Sequence, residues 1–233
     1  MTKVISFSLW GNNPKYSIGM VRNAELASRL FPDWECWIHC PRHGGPFGPI
    51  EALLALDQMS NVQLIPMHLG SDLLPAEANW KGMFWRFEPA IYDDVEVMIS
   101  RDCDSRLSSR EKAAVDEWLA SDKGFHIMRD HPWHGSHILG GMWGVKRGVL
   151  PDMLTLMRSW KQEDRWQTDQ DFLNAVIYPK VVNDSMIHAS FLRMESHARD
   201  FPSPRSGLEF VGQVFDENEV TVAEHLQALA KAL

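Results

Sequence analysis

Short apolar runs alternate with segments of helical spacing through the first 67 residues, and that alternation leaves few folds open. Val4–Trp10, Trp34–Cys40 and Val62–Met67 are strand-like. Between them, Ser17–Leu30 sets Ile18, Val21, Leu26 and Leu30 at helical spacing and stops before Pro32, and Ile50–Asp57 reads as a short helix. Gly11–Pro14 and the glycine- and proline-dense Pro41–Pro49 are breaks. Strands alternating with helices build a mainly parallel sheet with helices on both faces.

The pattern continues less regularly. Lys81–Ile91 reads as a helix and Val95–Ser100 as a buried strand ending in Arg101-Asp102-Cys103-Asp104. Ser108-Ser109-Arg110-Glu111 is a capping box that opens a helix to about Ala120. Phe125–Met128 is a strand, His131–His137 a loop, and Ile138–Val145 a strand with glycines set into it. Pro151 starts a helix over Asp152–Lys161, and Thr168–Tyr178 is another, with Thr168 and Asp171 in a capping pattern. Met186–Phe191 reads as strand or loop, Leu208–Phe215 as strand, and Thr221–Glu224 caps a final helix carrying Leu226, Leu229 and Leu233. With no repeat or linker, 233 residues suit one α/β domain.

Bulk properties exclude some roles. A net charge of −8 lacks the basic footprint of a general nucleic-acid binder, so no nucleic-acid partner is expected. No apolar run approaches the ~20 residues of a membrane-spanning helix. The start of the sequence has no basic-then-apolar signal. Three cysteines make no disulfide framework; Cys36 and Cys40, four apart on one strand, would sit roughly 13 Å from each other. Together these predict a cytoplasmic protein. The oligomeric state is left open.

Several residues could carry chemistry. Among 17 Asp in 233 residues roughly one Asp-x-Asp is expected by chance. Two occur, Asp102/Asp104 and Asp169/Asp171. The first pair closes a buried strand, and open α/β sheets bind ligands at the carboxyl ends of their strands. Two hard oxygen ligands, completed by water and diphosphate, suit Mn2+ or Mg2+; the competing reading is a solvated acidic turn. Cys103 between them points back into the core. His188, after Met186-Ile187, is either a third metal ligand or a partly buried histidine with one satisfied nitrogen. Asp169-Gln170-Asp171 opens a helix, where acids are favoured by the dipole and where a carboxylate could also serve as a base. Arg86, in the apolar Phe84-Trp85-Arg86-Phe87, needs a buried acid or a phosphate. Gly140, Gly141 and Gly144 mark a bulge or a close approach of backbone to ligand. Two histidine sets are poor zinc sites: His131, His134 and His137 are interrupted by Pro132 and Gly135, and Cys36, His39, Cys40 and His43 lie across a strand and Pro41. The first of these loops is read instead as lining a substrate cleft.

In their order along residues 3–191 these parts resemble the GT-A glycosyltransferases, small bacterial and viral members above all. The matching segments are Ser8-Leu9-Trp10-Gly11, Phe84-Trp85-Arg86, Arg101-Asp102-Cys103-Asp104, Ile138 to Val145, Asp169-Gln170-Asp171-Phe172-Leu173-Asn174, and His188. The resemblance implies a Rossmann-like GT-A fold that moves a sugar from a nucleoside-diphosphate donor to a hydroxyl acceptor, such as a glycan. It implies that Asp102, Asp104 and His188 bind the metal. Ser8, Trp10, Arg86, Arg101, Gly140 and Gly141 would contact the donor, and Asp169, Gln170 or Asp171 would stand by the reacting sugar. It also divides the chain into a nucleotide-binding half (about 1–105), an acceptor half (about 106–215) and a C-terminal helix (221–233). The lysine-rich diphosphate clamp of some retaining families is absent, leaving Arg193, Arg199 or Arg205 as substitutes. A nucleotidyltransferase and a non-catalytic nucleotide-sugar-binding domain are the alternatives; the first usually has a glycine- and lysine-rich turn, which Leu9–Lys15 matches poorly.

Overall fold

In the computed structural model, which describes residues 1–41, 50–67, 80–161 and 163–233, the strands share one sheet. They are β1 (Thr2–Ser8), β2 (Glu35–Pro41), β3 (Val62–Met67), β4 (Val95–Ser100), β5 (Phe125–Arg129), β6 (Trp143–Lys146) and β7 (Ser185–Ala189), in the order β3-β2-β1-β4-β6-β5-β7. Strands β3, β2, β1 and β4 are parallel; β6 runs antiparallel to both β4 and β5, and β7 is parallel to β5. The helices are α1 (Pro14–Leu30), α2 (Ile50–Asp57), α3 (Ser109–Leu119), α4 (Met153–Ser159), α5 (Thr168–Phe172), α6 (Tyr178–Val181) and α7 (Ala223–Ala232). The architecture is a single α/β domain with a mixed, mainly parallel sheet, as the alternation predicts.

The central strands are apolar on both faces because helices cover both. On one side Ile5, Phe7 and Ile99 meet Met20, Ala24 and Ala27 of α1 and Trp118 of α3. On the other, Val4 and Met98 meet Phe84, Phe87, Trp143 and Phe172. Fully burying a side chain such as Phe84 contributes on the order of 1.5–3 kcal/mol. Topology then places the site. From β1 the chain moves outward through β2 and β3, then returns to lay β4 on the other side of β1. Strand order reverses there, and such a reversal opens a crevice at the carboxyl ends of the two strands.

Several elements differ from their sequence reading. Trp80–Ile91 is a 3-10 helix; Pro89 inside it has no N–H for an α ladder. Residues 138–142 are not strand, and only Trp143–Lys146 pairs as β6. Asn174 takes both the N–H and the C=O of Ile138, displacing a strand partner. Residues 208–215 are turns and loop, with Gly212 at φ +82° and only isolated bridges, from Val214 to Ser105 and from Phe215 to Thr221. Thr168–Tyr178 is α5 followed by a π-helical turn, Leu173–Ile177. Ser108 caps Glu111 N at 3.2 Å, but the Glu111 carboxylate turns to Arg101 instead of closing the box. Thr168 does not cap its helix; its hydroxyl accepts from Glu163 N at 3.1 Å. Thr221 likewise leaves α7 without a side-chain cap and accepts from Gln213. The predicted loop Pro41–Pro49 lies, after Pro41, outside the described residues.

Candidate active site

A cavity of about 730 Å³ opens at the carboxyl ends of β1 and β4, within the usual ~300–1,000 Å³ of small-molecule sites. Ser8 and Trp10 reach it from the end of β1, Asp102 and Asp104 from the end of β4, and Arg86 from the 3-10 helix. Gly140, Asp169, Gln170, His131 and His134 form the opposing wall.

Arg86 organises the floor. Its backbone N–H donates to Ser8 Oγ at 3.0 Å, fixing the helix against β1. Its guanidinium forks, Nη1 donating to Asp102 Oδ1 and Nη2 to Asp169 Oδ2 at 2.7 Å. The chain can make this fork only where no side chain intervenes. A Cβ on Gly140 would lie 2.5 Å from Arg86 Nη2 and 2.6 Å from Asp169 Oδ2, and one on Gly141 would collide with the Asp102 carboxylate. Burial would lower the Arg86 pKa, but Asp102 and Asp169 outweigh it and raise the pKa, keeping the cation charged. Asp169 is pushed above the usual carboxylate range by burial, with Arg86 pulling the other way.

Asp104 ion-pairs with Lys15 at 2.9 Å. Burial first, and then the neighbouring Asp102 charge, raise its pKa despite Lys15. Lys15 follows Pro14 at the start of α1, and this first turn has no acid. A lysine there opposes the helix dipole, so its partner Asp104 accounts for its place. That unfavourable position was the sequence signal for Lys15.

Loops behind the floor are held by side chains. Gln170 Oε1 accepts from Gly140 N and its Nε2 donates to Ser136 Oγ, both at 3.3 Å. His131 and His134 line the wall as neutral imidazoles: the Nδ1 of each accepts a backbone N–H, from Trp133 and Asp130 respectively. Burial drives His134 down to about 3. At the end of β5, Asp130 receives Arg110 Nε at 2.8 Å, Arg205 Nη2 at 2.5 Å, Ser190 Oγ at 2.5 Å and Val211 N at 2.9 Å. This knot pins the 205–214 segment, whose Phe210, Gly212 and Val214 line the cavity. Those residues, with His225 of α7, Trp80 and Trp166, carried no sequence signal for the site.

The structure does not bring every predicted residue here. His188 is buried on β7, where its Nδ1 meets His126 Nε2 at 2.8 Å and its Nε2 meets Glu117 at 3.1 Å. Both nitrogens are engaged and it does not line the cavity, which corrects its reading as a metal ligand. Asp171 is exposed and pairs with Arg165, off the cavity. Arg101 is 2% exposed and bonds Glu111, Ser100 O and Trp143 O, so it holds structure and not ligand. Gly141 acts behind Asp102 and not at the cavity surface. Arg193, Arg199 and Arg205 pair with Asp200, Glu117 and Asp130, and none of them lines the cavity. His43 lies outside the described residues; Cys36, Cys40 and Cys103 are buried free thiols.

Among the described residues no three His, Cys, Asp or Glu side chains are grouped to hold a metal by themselves. The donor set left is Asp102 and Asp104, two hard carboxylates facing one cavity. That suits a Mg2+ or Mn2+ shared with substrate phosphates, which needs only one or two protein carboxylates.

No sequence family matches the chain, and no curated protein matches it. Solved structures do. A glycosyltransferase involved in glycosylation of the major capsid of PBCV-1 aligns with TM-score 0.50 at 10% identity, over 81% of this chain and 82% of that one. A 4-diphosphocytidyl-2C-methyl-D-erythritol synthase from Anaerococcus prevotii aligns with TM-score 0.50 at 8% identity, over 87% and 91%. S. aureus TarS 1–349 aligns with TM-score 0.49 at 12% identity, over 82% and 58%. The fold is GT-A. Identities this low speak for the fold alone, and the glycosyltransferase and nucleotidyltransferase likenesses are equal in score. Among the described residues no helix is long and apolar enough to cross a membrane.

Proposed function

We propose that the chain is a metal-dependent glycosyltransferase acting on a nucleoside-diphosphate sugar and a hydroxyl acceptor. The observation that carries this reading is the Arg86 fork, which ties Asp102 of the front half to Asp169 of the back half inside the cavity. The proposed division has residues 1–105 holding the nucleotide and 106–215 presenting the acceptor, with the fork at their seam. Asp102 and Asp104 would hold a divalent ion, which when bound offsets charge on the departing diphosphate. Arg86 holds the Asp102 carboxylate in place and opposes the effect of burial on Asp169. Asp169 is the proposed base: burial has strengthened its hold on a proton, as removal of a hydroxyl proton requires. In the balanced step, the C1–O bond to the diphosphate breaks, the acceptor oxygen bonds C1, and its proton passes to Asp169. Gln170, stitched to Gly140 and Ser136, positions the glycine loop beside the sugar. The buried free thiols fit a reducing compartment, hence the cytoplasm.

A thermal-shift panel of UDP-, GDP- and dTDP-sugars with and without Mn2+ tests this, because a ligand of the folded state raises its melting temperature. One donor should give a Mn2+-dependent shift that Asp104→Ala abolishes, and Asp169→Asn should bind that donor yet fail to transfer. Donor binding without Mn2+ dependence, or unaltered transfer in Asp169→Asn, refutes the assignment. The nucleotidyltransferase reading shares the fold with the Anaerococcus prevotii enzyme; released pyrophosphate in place of nucleoside diphosphate would establish it.

A further inference from the structure

The ten tryptophans of this chain sort by position. Trp34, Trp85, Trp118 and Trp143 are buried, and Trp10, Trp37 and Trp160 half-buried. Three remain exposed: Trp80 at 42%, Trp133 at 58% and Trp166 at 65%. All three line the cavity. The exposed aliphatic side chains Leu54, Leu192, Met194, Leu208 and Val220 do not. Among the described residues, the large apolar side chains of the cavity that are classed as exposed are thus all indoles, while Met83, Leu139 and Val214 line it half-buried.

The Trp133 ring is braced by its neighbours, and the backbone is fixed beside the other two. The Trp133 N–H donates to His131 Nδ1, and its ring stands edge-on to His131 at 5.6 Å and to His225 of α7 at 5.4 Å. His131 Nε2 is in turn tied to His225 O at 2.9 Å. The Trp80 backbone N–H donates to Asp164 Oδ1 at 3.1 Å, joining the 3-10 helix to the loop that carries Trp166. The next residue, Gln167, has φ +65° and ψ 11°, a left-handed conformation that a side chain with Cβ disfavours. Backbone strain of this kind persists where the surroundings impose it, and it concentrates at ligand sites. Around the indoles stand hydrogen-bonding side chains, Asn12, Asn13, Ser136 and Gln170.

We propose that the mouth of the cavity grips an acceptor glycan of two or more pyranose rings, with Trp133, Trp80 and Trp166 as stacking platforms. A pyranose offers an apolar C–H face ringed by hydroxyls. An indole covers such a face, and amide and hydroxyl groups take the rim. A lipid acceptor would call for broad exposed aliphatic surface, and among the described residues the cavity offers only the half-buried Met83, Leu139 and Val214. The inference rests on glycosyl transfer as the reaction, but the glycan grip can be measured without it.

The full-length chain, Trp133→Ala, Trp166→Ala and the two phenylalanine variants are titrated calorimetrically, without nucleotide. The probes are glucose, galactose, mannose, N-acetylglucosamine and the β1,4- or α1,4-linked trisaccharides of each. Both positions are exposed, so melting temperatures should stay at the wild-type value. At least one trisaccharide is expected to bind tenfold or more tighter than its monosaccharide. Each alanine should weaken it by about tenfold, as loss of a tryptophan anchor does, and phenylalanine should restore most of the loss. Binding of the nucleotide sugar should be unchanged. Trisaccharides no tighter than monosaccharides across the panel would overturn the proposal. So would alanine variants that weaken the nucleotide sugar instead, which would make the rings nucleobase platforms. Glycan binding without any transfer would sink the enzymatic reading and leave this one standing; transfer indifferent to acceptor length would do the reverse.

Discussion

Replacing Arg86 by alanine strips the buried Asp169 carboxylate of its cation. The two arms of the fork differ in weight. Asp102 is 44% exposed, so its arm is screened by water and contributes at most about 1 kcal/mol. The Asp169 side chain is 3% exposed, and removing one member of a buried pair costs about 3–5 kcal/mol because the remaining charge is uncompensated. The expected loss is therefore about 4 kcal/mol, mostly from Asp169. At roughly 2–4 °C per kcal/mol for a domain of this size, the melting temperature should fall by about 8–16 °C. Acid should relieve the defect. Without Arg86, burial and then the Asp102 charge, opposed by a backbone hydrogen bond from Gln170, raise the folded-state pKa of Asp169 further. The folded state then holds a proton that the unfolded state has released, and stability falls as pH rises from about 3.9 through the folded value. Urea unfolding of wild type, Arg86→Ala, Asp169→Asn and the double variant at pH 5 and pH 7 measures this. The double variant should be more stable than the two single losses add to, by roughly 2 kcal/mol. Single losses that add to within about 0.5 kcal/mol would show that the two groups are uncoupled and would refute the reasoning.

Gly140→Ala should part Arg86 from Asp169, and Gly141→Ala should displace the Asp102 carboxylate; each is expected to lower turnover by at least about 100-fold, on the scale of losing a preorganised charge contact, while circular dichroism stays native. His188→Gln should lower stability but leave the Mn2+ dependence of donor binding intact, and loss of that dependence would restore the histidine to the metal site. The carboxylate of Asp130 is held below its usual range because Arg110, Ser190 and Val211 N outweigh burial. Its contribution is present above about pH 3.9 and lost as pH falls through the folded value. Asp130→Asn should cost about 3–5 kcal/mol at neutral pH and open residues 200–215 to limited proteolysis.

Alternation and buried strands were legible because they follow from burial on both faces of a sheet, which writes itself into consecutive residues. Arg86 was legible for the same reason: a guanidinium in a run of aromatics must have a partner. Asp102 and Asp104 stood out by their place after β4. His188 was misplaced because its neighbours on the sheet, His126 and Glu117, come from other segments and occupy both its nitrogens. Asp169 and Asp171 have equal sequence claims, and only the turn at Gln167 and the winding of α5 send one inward to Arg86 and the other out to Arg165. The 205–214 wall was illegible because Asp130, some 80 residues away, holds it, and no local spacing encodes that bond.

The π-helical turn at Leu173–Ile177 makes the chain's length at that point part of its meaning. Such a turn accommodates one residue more than an α-helical turn would, and an α-helix advances about 100° per residue. Deleting any one residue there would restore the regular winding. The two flanks would stay nearly in phase, because the widened turn is what absorbs the extra residue; had the helix stayed regular, that residue would have swung Asp169 and Gln170 by about that angle off the wall. A relative of this chain could therefore lack one residue at this turn and keep the site, whereas an extra residue in a turn that stays regular would lose the site with every one of its side chains still in the sequence.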